Sequence, residues 1–138
     1  MRIPQSIRDL IATGPLAHLV TLNPDGSPQV AVVWVGIEGD AFVFGHMVEQ
    51  QKLRNVRRDP RVALSFLGKA ANAMGLHEYV VVHGRATVTE GGAADLLQRL
   101  AHVYLGPDVA FPPEPVRTNP GHVMRLAPER FGGIGEWA

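Results

Sequence analysis

Residues 16–37 read LAHLVTLNPDGSPQVAVVWVGI, and most of the fold can be argued outward from them. Two apolar runs, 16–22 and 28–37, flank Asn23-Pro24-Asp25-Gly26-Ser27, and Asn, Pro, Asp and Gly are the residues a tight turn selects. The runs are therefore expected to pair as an antiparallel hairpin. In the second run both alternating sets are apolar: Val30, Val32 and Trp34 on one side, Ala31, Val33, Val35 and Ile37 on the other. A strand with one wet face would alternate apolar with polar. The second apolar face must meet a helix, a partner subunit or a flat ligand, and so short a chain has few helices to spare. A homodimer through this face is the expectation.

Other elements follow on either side. After Pro4, Ile7, Leu10 and Ile11 recur at helical spacing until Thr13-Gly14-Pro15 ends the segment. The turn at 38–40 leads into a third strand, AFVFGH, and RVALSFL (61–67) begins a fourth just past Asp59-Pro60, since proline cannot continue the helix before it. Residues 77–89 form a long fifth strand in which Gly84 marks a bulge or bend. From Ala93, Leu96, Leu97, Leu100, Ala101 and Tyr104 repeat at the helical period. The proline-rich stretch 106–121 reads as a loop, and 122–138 as a sixth strand with a glycine-rich tail. Mostly strands with a few short helices points to a mainly β fold, a six-stranded antiparallel barrel in one domain spanning 1–138.

The 138 residues carry no formal net charge and no cysteine, and 46% of them are hydrophobic. That is enough apolar material for one core. Neutrality argues against a surface tuned to nucleic acid or anionic membrane, because such binding rests on summed positive charge. The absence of cysteine excludes disulfides and thiolate chemistry. No apolar run approaches bilayer length, and MRIPQSIRDL lacks the apolar core of a secretory signal, so a cytoplasmic protein is expected.

Against that neutral background, EQQKLRNVRRDPR (49–61) concentrates Lys52, Arg54, Arg57, Arg58 and Arg61. On a helix over 48–58, Val48, Lys52 and Val56 stack at i, i+4, i+8 beside Leu53, while Arg54, Arg57 and Arg58 point outward. An inward ammonium must find an anion or snorkel out along its stem. Two partners are open to Lys52. One is Glu49, three positions back, in a surface pair. The other is a phosphate, favoured by the free N–H groups and dipole of a helix start, with Gly45 and His46 letting the backbone approach.

The order DGSPQVAVVWV, GDAFVFGH, KLRNVRRDPRVALSF, a long strand ending HGRATV, and a terminal HVMRLAPERFGGIG resembles the flavin-binding split-barrel superfamily related to pyridoxamine 5'-phosphate oxidase. Within it the chain is most similar to small enzymes that use the deazaflavin coenzyme F420. The resemblance implies a homodimer of six-stranded split barrels with two equivalent cofactor sites at the subunit interface. It puts the cofactor phosphate on Lys52, the ring against Val32, Val33 and Trp34, and the ribityl chain or phosphate against Phe44, Gly45 and His46. Many relatives carry Ser or Thr at the position of Gly45. FMN-binding relatives often have Arg at that of Gln51, which here favours F420 over FMN.

The six histidines form no short helical pair, and His77 and His83 lie too far apart on one strand face for a single ion. There is no G-x-S-x-G and no nominable triad. Hydride transfer needs neither, because the cofactor carries that chemistry. Trp34 has a competing reading as plain core, and Trp137 as either a tail over the partner's site or a frayed end. Two functions remain. In one, the protein is an oxidoreductase passing a hydride between F420 or FMN and a flat, electron-poor small molecule. In the other, it is a non-catalytic barrel that stores a flavin-like cofactor or binds nucleic acid. Neutral charge and few aromatics count against nucleic acid.

Overall fold

The computed structural model describes residues 1–138. Its elements are α1 (Gln5–Ile11), β1 (Ala17–Leu22), β2 (Pro28–Val33), β3 (Gly36–Glu38), β4 (Ala41–His46), α2 (Gln51–Arg58), β5 (Arg61–Ala71), β6 (His77–Glu90), α3 (Ala93–Tyr104), α4 (Glu114–Arg117) and β7 (His122–Ile134). All strand pairs are antiparallel, in one seven-stranded sheet of order β2-β1-β5-β6-β7-β4-β3.

The extra strand has a specific origin. The run 28–37 does not form one strand; it breaks at Trp34 and Val35 into β2 and β3, which lie at opposite edges of the sheet. Because so short a link joins the two edges, the sheet must curl until they meet. The result is a barrel with a split between β2 and β3. The break is pinned from outside: the Val35 N–H donates to the Tyr104 hydroxyl at 3.1 Å, and that hydroxyl donates to the Pro15 carbonyl at 2.6 Å.

Strand alternation fills the interior. Leu19, Leu64, Phe66, Val80, Val82, Phe42, Phe44 and Leu126 point inward, joined by Ile7, Leu10 and Ile11 of α1 and by Leu53 and Val56 of α2. A smaller core of Val43, Leu96, Leu100 and Val123 lies between the sheet and α3, which covers β4 from outside. Gly84 marks the bulge expected of it: register shifts there against β7, and a Cβ would run into the Ala127 carbonyl oxygen. Pro128 sits opposite, where a missing N–H is tolerated. The tail does not fray. The Trp137 indole N–H donates to the Tyr79 carbonyl at 2.9 Å and its ring packs on the main core, so it belongs to its own barrel. No helix is long and apolar enough to cross a membrane.

Candidate functional site

The ends of β2 and β4 and the start of α2 converge on one cleft of about 360 Å³. β2 and the break after it contribute Val32, Val33 and Trp34; β4 contributes Phe44, Gly45 and His46; α2 contributes Lys52. Gln51, the remaining candidate from the sequence, is not in the cleft. Its amide donates to Asn55 Oδ1 at 2.8 Å and accepts from Arg54 at 3.0 Å, so the side chain runs along the helix instead. Gln50, the extended residue before the first turn, lines the cleft in its place.

The boundary of α2 explains this difference. The helix begins at Gln51, so Val48 stands outside it and is 59% exposed at the rim. The inward face is Lys52, Leu53, Asn55 and Val56. Asn55 is completely buried, its amide donating to Thr21 Oγ1 and Asn23 Oδ1, both at 3.0 Å. This polar pin fastens α2 to the β1–β2 hairpin. Arg58 adds a bond to the Leu22 carbonyl.

Glu49 does not pair with Lys52. Its carboxylate binds Arg57 at 2.5 and 2.7 Å and lies 3.8 Å from His122 Nε2. Lys52 is left half-buried with no salt bridge, and burial pulls its pKa below the ordinary value. No side chain caps α2 and no acid occupies its first turn. The N–H groups of Leu53 and Arg54 both bond to the Gln50 carbonyl, while those of Gln51 and Lys52 have no backbone acceptor. An unopposed ammonium therefore stands beside the positive end of a helix, which is an arrangement that attracts an anion.

His46 closes the inner side of the cleft. It is 6% exposed, and its buried Nδ1 has no hydrogen-bond partner. Desolvation first, then the charge of Lys52 and proximity to His122, lower its pKa to about 4, with Glu49 opposing. It is a neutral imidazole at pH 7.

Gly45 lines the cleft and also packs closely under α3. A Cβ there would lie 2.8 Å from Leu97 Cγ and 3.4 Å from the Ala93 carbonyl, so the missing side chain makes room for α3. A Ser or Thr would collide with that helix. The far wall is aromatic: Trp34 stacks on Tyr104 at 5.3 Å and 8°, and meets Phe111 at 5.4 Å and 58°. Phe111 comes from the proline-rich loop, which Gln98 staples to α3 through the Phe111 N–H, the Val109 carbonyl and Arg117. Sequence periodicity gave no sign of Phe111, Leu97 or Met47 in the cleft, because residues from the loop, from α3 and from just past the end of β4 meet there only through tertiary packing.

Known proteins bear on this geometry. The family model described as pyridoxamine 5'-phosphate oxidase matches residues 3–135. A pyridoxine/pyridoxamine 5'-phosphate oxidase of Bradyrhizobium diazoefficiens is 33% identical over 78 residues, which is 56% of this chain and 34% of that protein. The chain thus spans about a third of that relative's length. Among solved structures, an F420 reductase superposes with a TM-score of 0.74 at 26% identity, covering 94% of this chain and 98% of that one. A heme storage protein from Vibrio cholerae has the same fold, with a TM-score of 0.64 at 14% identity over 96% of this chain and 95% of that one. With the split barrel in place and the match running almost from end to end, the chain belongs to the pyridoxamine 5'-phosphate oxidase family.

Proposed function

We propose that this protein is an oxidoreductase that holds F420, or alternatively FMN, in the cleft between β2, β4 and α2, at the interface of a homodimer. The observation that carries this reading is Lys52: a half-buried ammonium without a salt bridge, at the open N-terminus of α2, beside a buried histidine with an unpartnered nitrogen. Those groups suit a phosphate. The apolar side chains of Val32, Val33 and Trp34 suit a flat ring, and a cleft of about 360 Å³ is within the usual range for small-molecule sites.

One cation faces the cleft, since Arg57 is paired with Glu49 and Arg54 and Arg58 are exposed. A single ammonium matches the one charge of a phosphodiester, as in F420, better than the two charges of the FMN monoester. The likeness to an F420 reductase supports the same choice. When bound, the ring would supply the hydride chemistry. The chain's part is to bind and orient: Lys52 and the first N–H groups of α2 fix the phosphate, the aromatic wall excludes water, and a flat, electron-poor substrate would stack on the ring face left open.

The dimer is supported by the outer sheet face. Val30 and Val32 point out of the barrel and are each 58% exposed. Cross-strand neighbours extend the patch through Val20 and Ala63 in one row, and through His18, Ser65 and Val81 in the next. No helix covers it. Val32 belongs to both this face and the cleft, so a partner on the face would wall the site.

Titration of the purified protein with F420 and with FMN, followed by visible absorption and fluorescence, tests the proposal. Saturable binding of either at about one equivalent per chain supports it and names the cofactor. No binding of either removes it.

A further inference from the structure

The cleft holds one permanent cation and, beside it, one group able to become a second. We infer that His46 takes up a proton when a dianionic phosphate enters the cleft, so that acid pH admits ligands the lone ammonium of Lys52 would hold poorly. The inference rests on the site reading above and adds a proton-linked selectivity to it.

Three observations carry it. His46 lines the same cleft as Lys52 and the start of α2, so a phosphate held there lies against the imidazole. The side chain is 6% exposed and its Nδ1 is buried without a partner, so its hydrogen-bonding capacity is uncommitted within the chain. The charged and titratable groups facing it are few: Lys52 from α2, His122 from its cross-strand position on β7, and Glu49 from the segment between β4 and α2. Glu49 is already engaged by Arg57, which leaves the charge of Lys52 and the proximity of His122 opposed by little. In the free protein burial and these neighbours keep the imidazole neutral. Two negative charges arriving alongside reverse the balance, since an opposite charge within a few ångströms favours the charged form of a base.

The sign of the linkage separates this from the ligand's own titration. A phosphate monoester has its second pKa near about 6. A site that merely preferred the dianion would release a proton on binding below that value and exchange none above it. A site that protonates His46 takes one up above it. Affinity then falls as pH rises, by up to about tenfold per pH unit until the bound-state pKa of His46 is passed. A monoanionic phosphodiester calls for the second charge far less.

The test is isothermal titration calorimetry of FMN into the full chain from pH 6.5 to 7.5, in buffers of differing ionisation enthalpy, with F420 and riboflavin alongside. We expect net proton uptake with FMN, less with F420 and none with riboflavin. In His46→Gln and His46→Asn, each checked for native circular dichroism, FMN uptake should vanish and its affinity should stop falling with pH. FMN binding without uptake in the native protein overturns the inference, as does failure of FMN to bind at any pH while F420 binds. In both cases the site reading survives. If neither cofactor binds, both fall.

Discussion

At the scale of single residues, Lys52 and His46 both sit in surroundings unlike an ordinary surface, each desolvated beside the cleft. An ammonium that has lost part of its hydration and gained no counter-ion is a standing cost, and a bound phosphate would offset it. Replacing Lys52 with Ala should therefore weaken F420 or FMN binding by about 2 kcal/mol, roughly thirtyfold, as for a charge-assisted hydrogen bond. Arg54→Ala should change it far less, because an exposed cation is screened. Equal effects in a fluorescence titration would mean that general basicity, not the cleft, holds the ligand. His46 makes a separate prediction about stability. Its pKa is about 4 in the fold against an ordinary 6.5, so between those values the unfolded chain binds more protons. Stability from this group is complete above the unfolded value and drains away as pH falls toward the folded one, a loss of about 3 kcal/mol. Urea midpoints at pH 4.5 and 7.5 should differ by less in His46→Gln than in the native chain. An unchanged pH dependence would show that the imidazole is not held neutral by the fold.

Among elements, α2 shows what could be read in the sequence and what could not. Its existence and inward lysine followed from the 3.6-residue period, and the hairpin before it from the turn chemistry of residues 23–27. Its start did not follow, because Val48 fits the apolar stripe and only packing leaves it outside the helix. The role of Asn55 is not legible for a related reason: an asparagine on a helix has the pattern of a solvated residue, and only the tertiary fold brings Thr21 and Asn23 to its amide. The break in residues 28–37 was equally hidden, since nothing in alternation records that Tyr104 reaches across to hold Val35. Asn55→Leu should destabilise the fold by about 1–3 kcal/mol in urea denaturation, because it strands buried polar partners. No change would mean that water replaces the pin. Gly45→Ser tests the other element contact. With Leu97 2.8 Å from the site of the new Cβ, overpacking should cost about 1–3 kcal/mol and shift α3. If Gly45→Ser is instead neutral and tightens phosphate binding, Gly45 faces the ligand more than the helix.

For the whole molecule, the doubly apolar β2 links the barrel to the proposed dimer. One face of that strand went to the core, as Ala31 and Val33 show; the other, with Val30 and Val32, remains an uncovered sheet surface in which apolar residues are interrupted by His18, Ser65 and His83. Large exposed patches of this kind mark association sites. Val30 lies on the patch but not in the cleft, whereas Val32 lies on both, so the two roles can be separated by substitution. Val30→Lys puts a charge on the apolar face that a partner would desolvate, and should convert a dimer to a monomer in sedimentation equilibrium. The barrel itself should stay folded, because a substitution at an exposed position usually changes stability by no more than about 0.5 kcal/mol. Leu105→Lys, at a comparably exposed apolar residue just past α3, serves as the control and should leave the dimer intact. If the cleft is completed by the partner, Val30→Lys should also abolish saturable F420 or FMN binding although every cleft residue of the chain is unchanged. A folded monomer that still binds at native affinity would place the whole site within one barrel, and a persistent dimer would move the interface to another face.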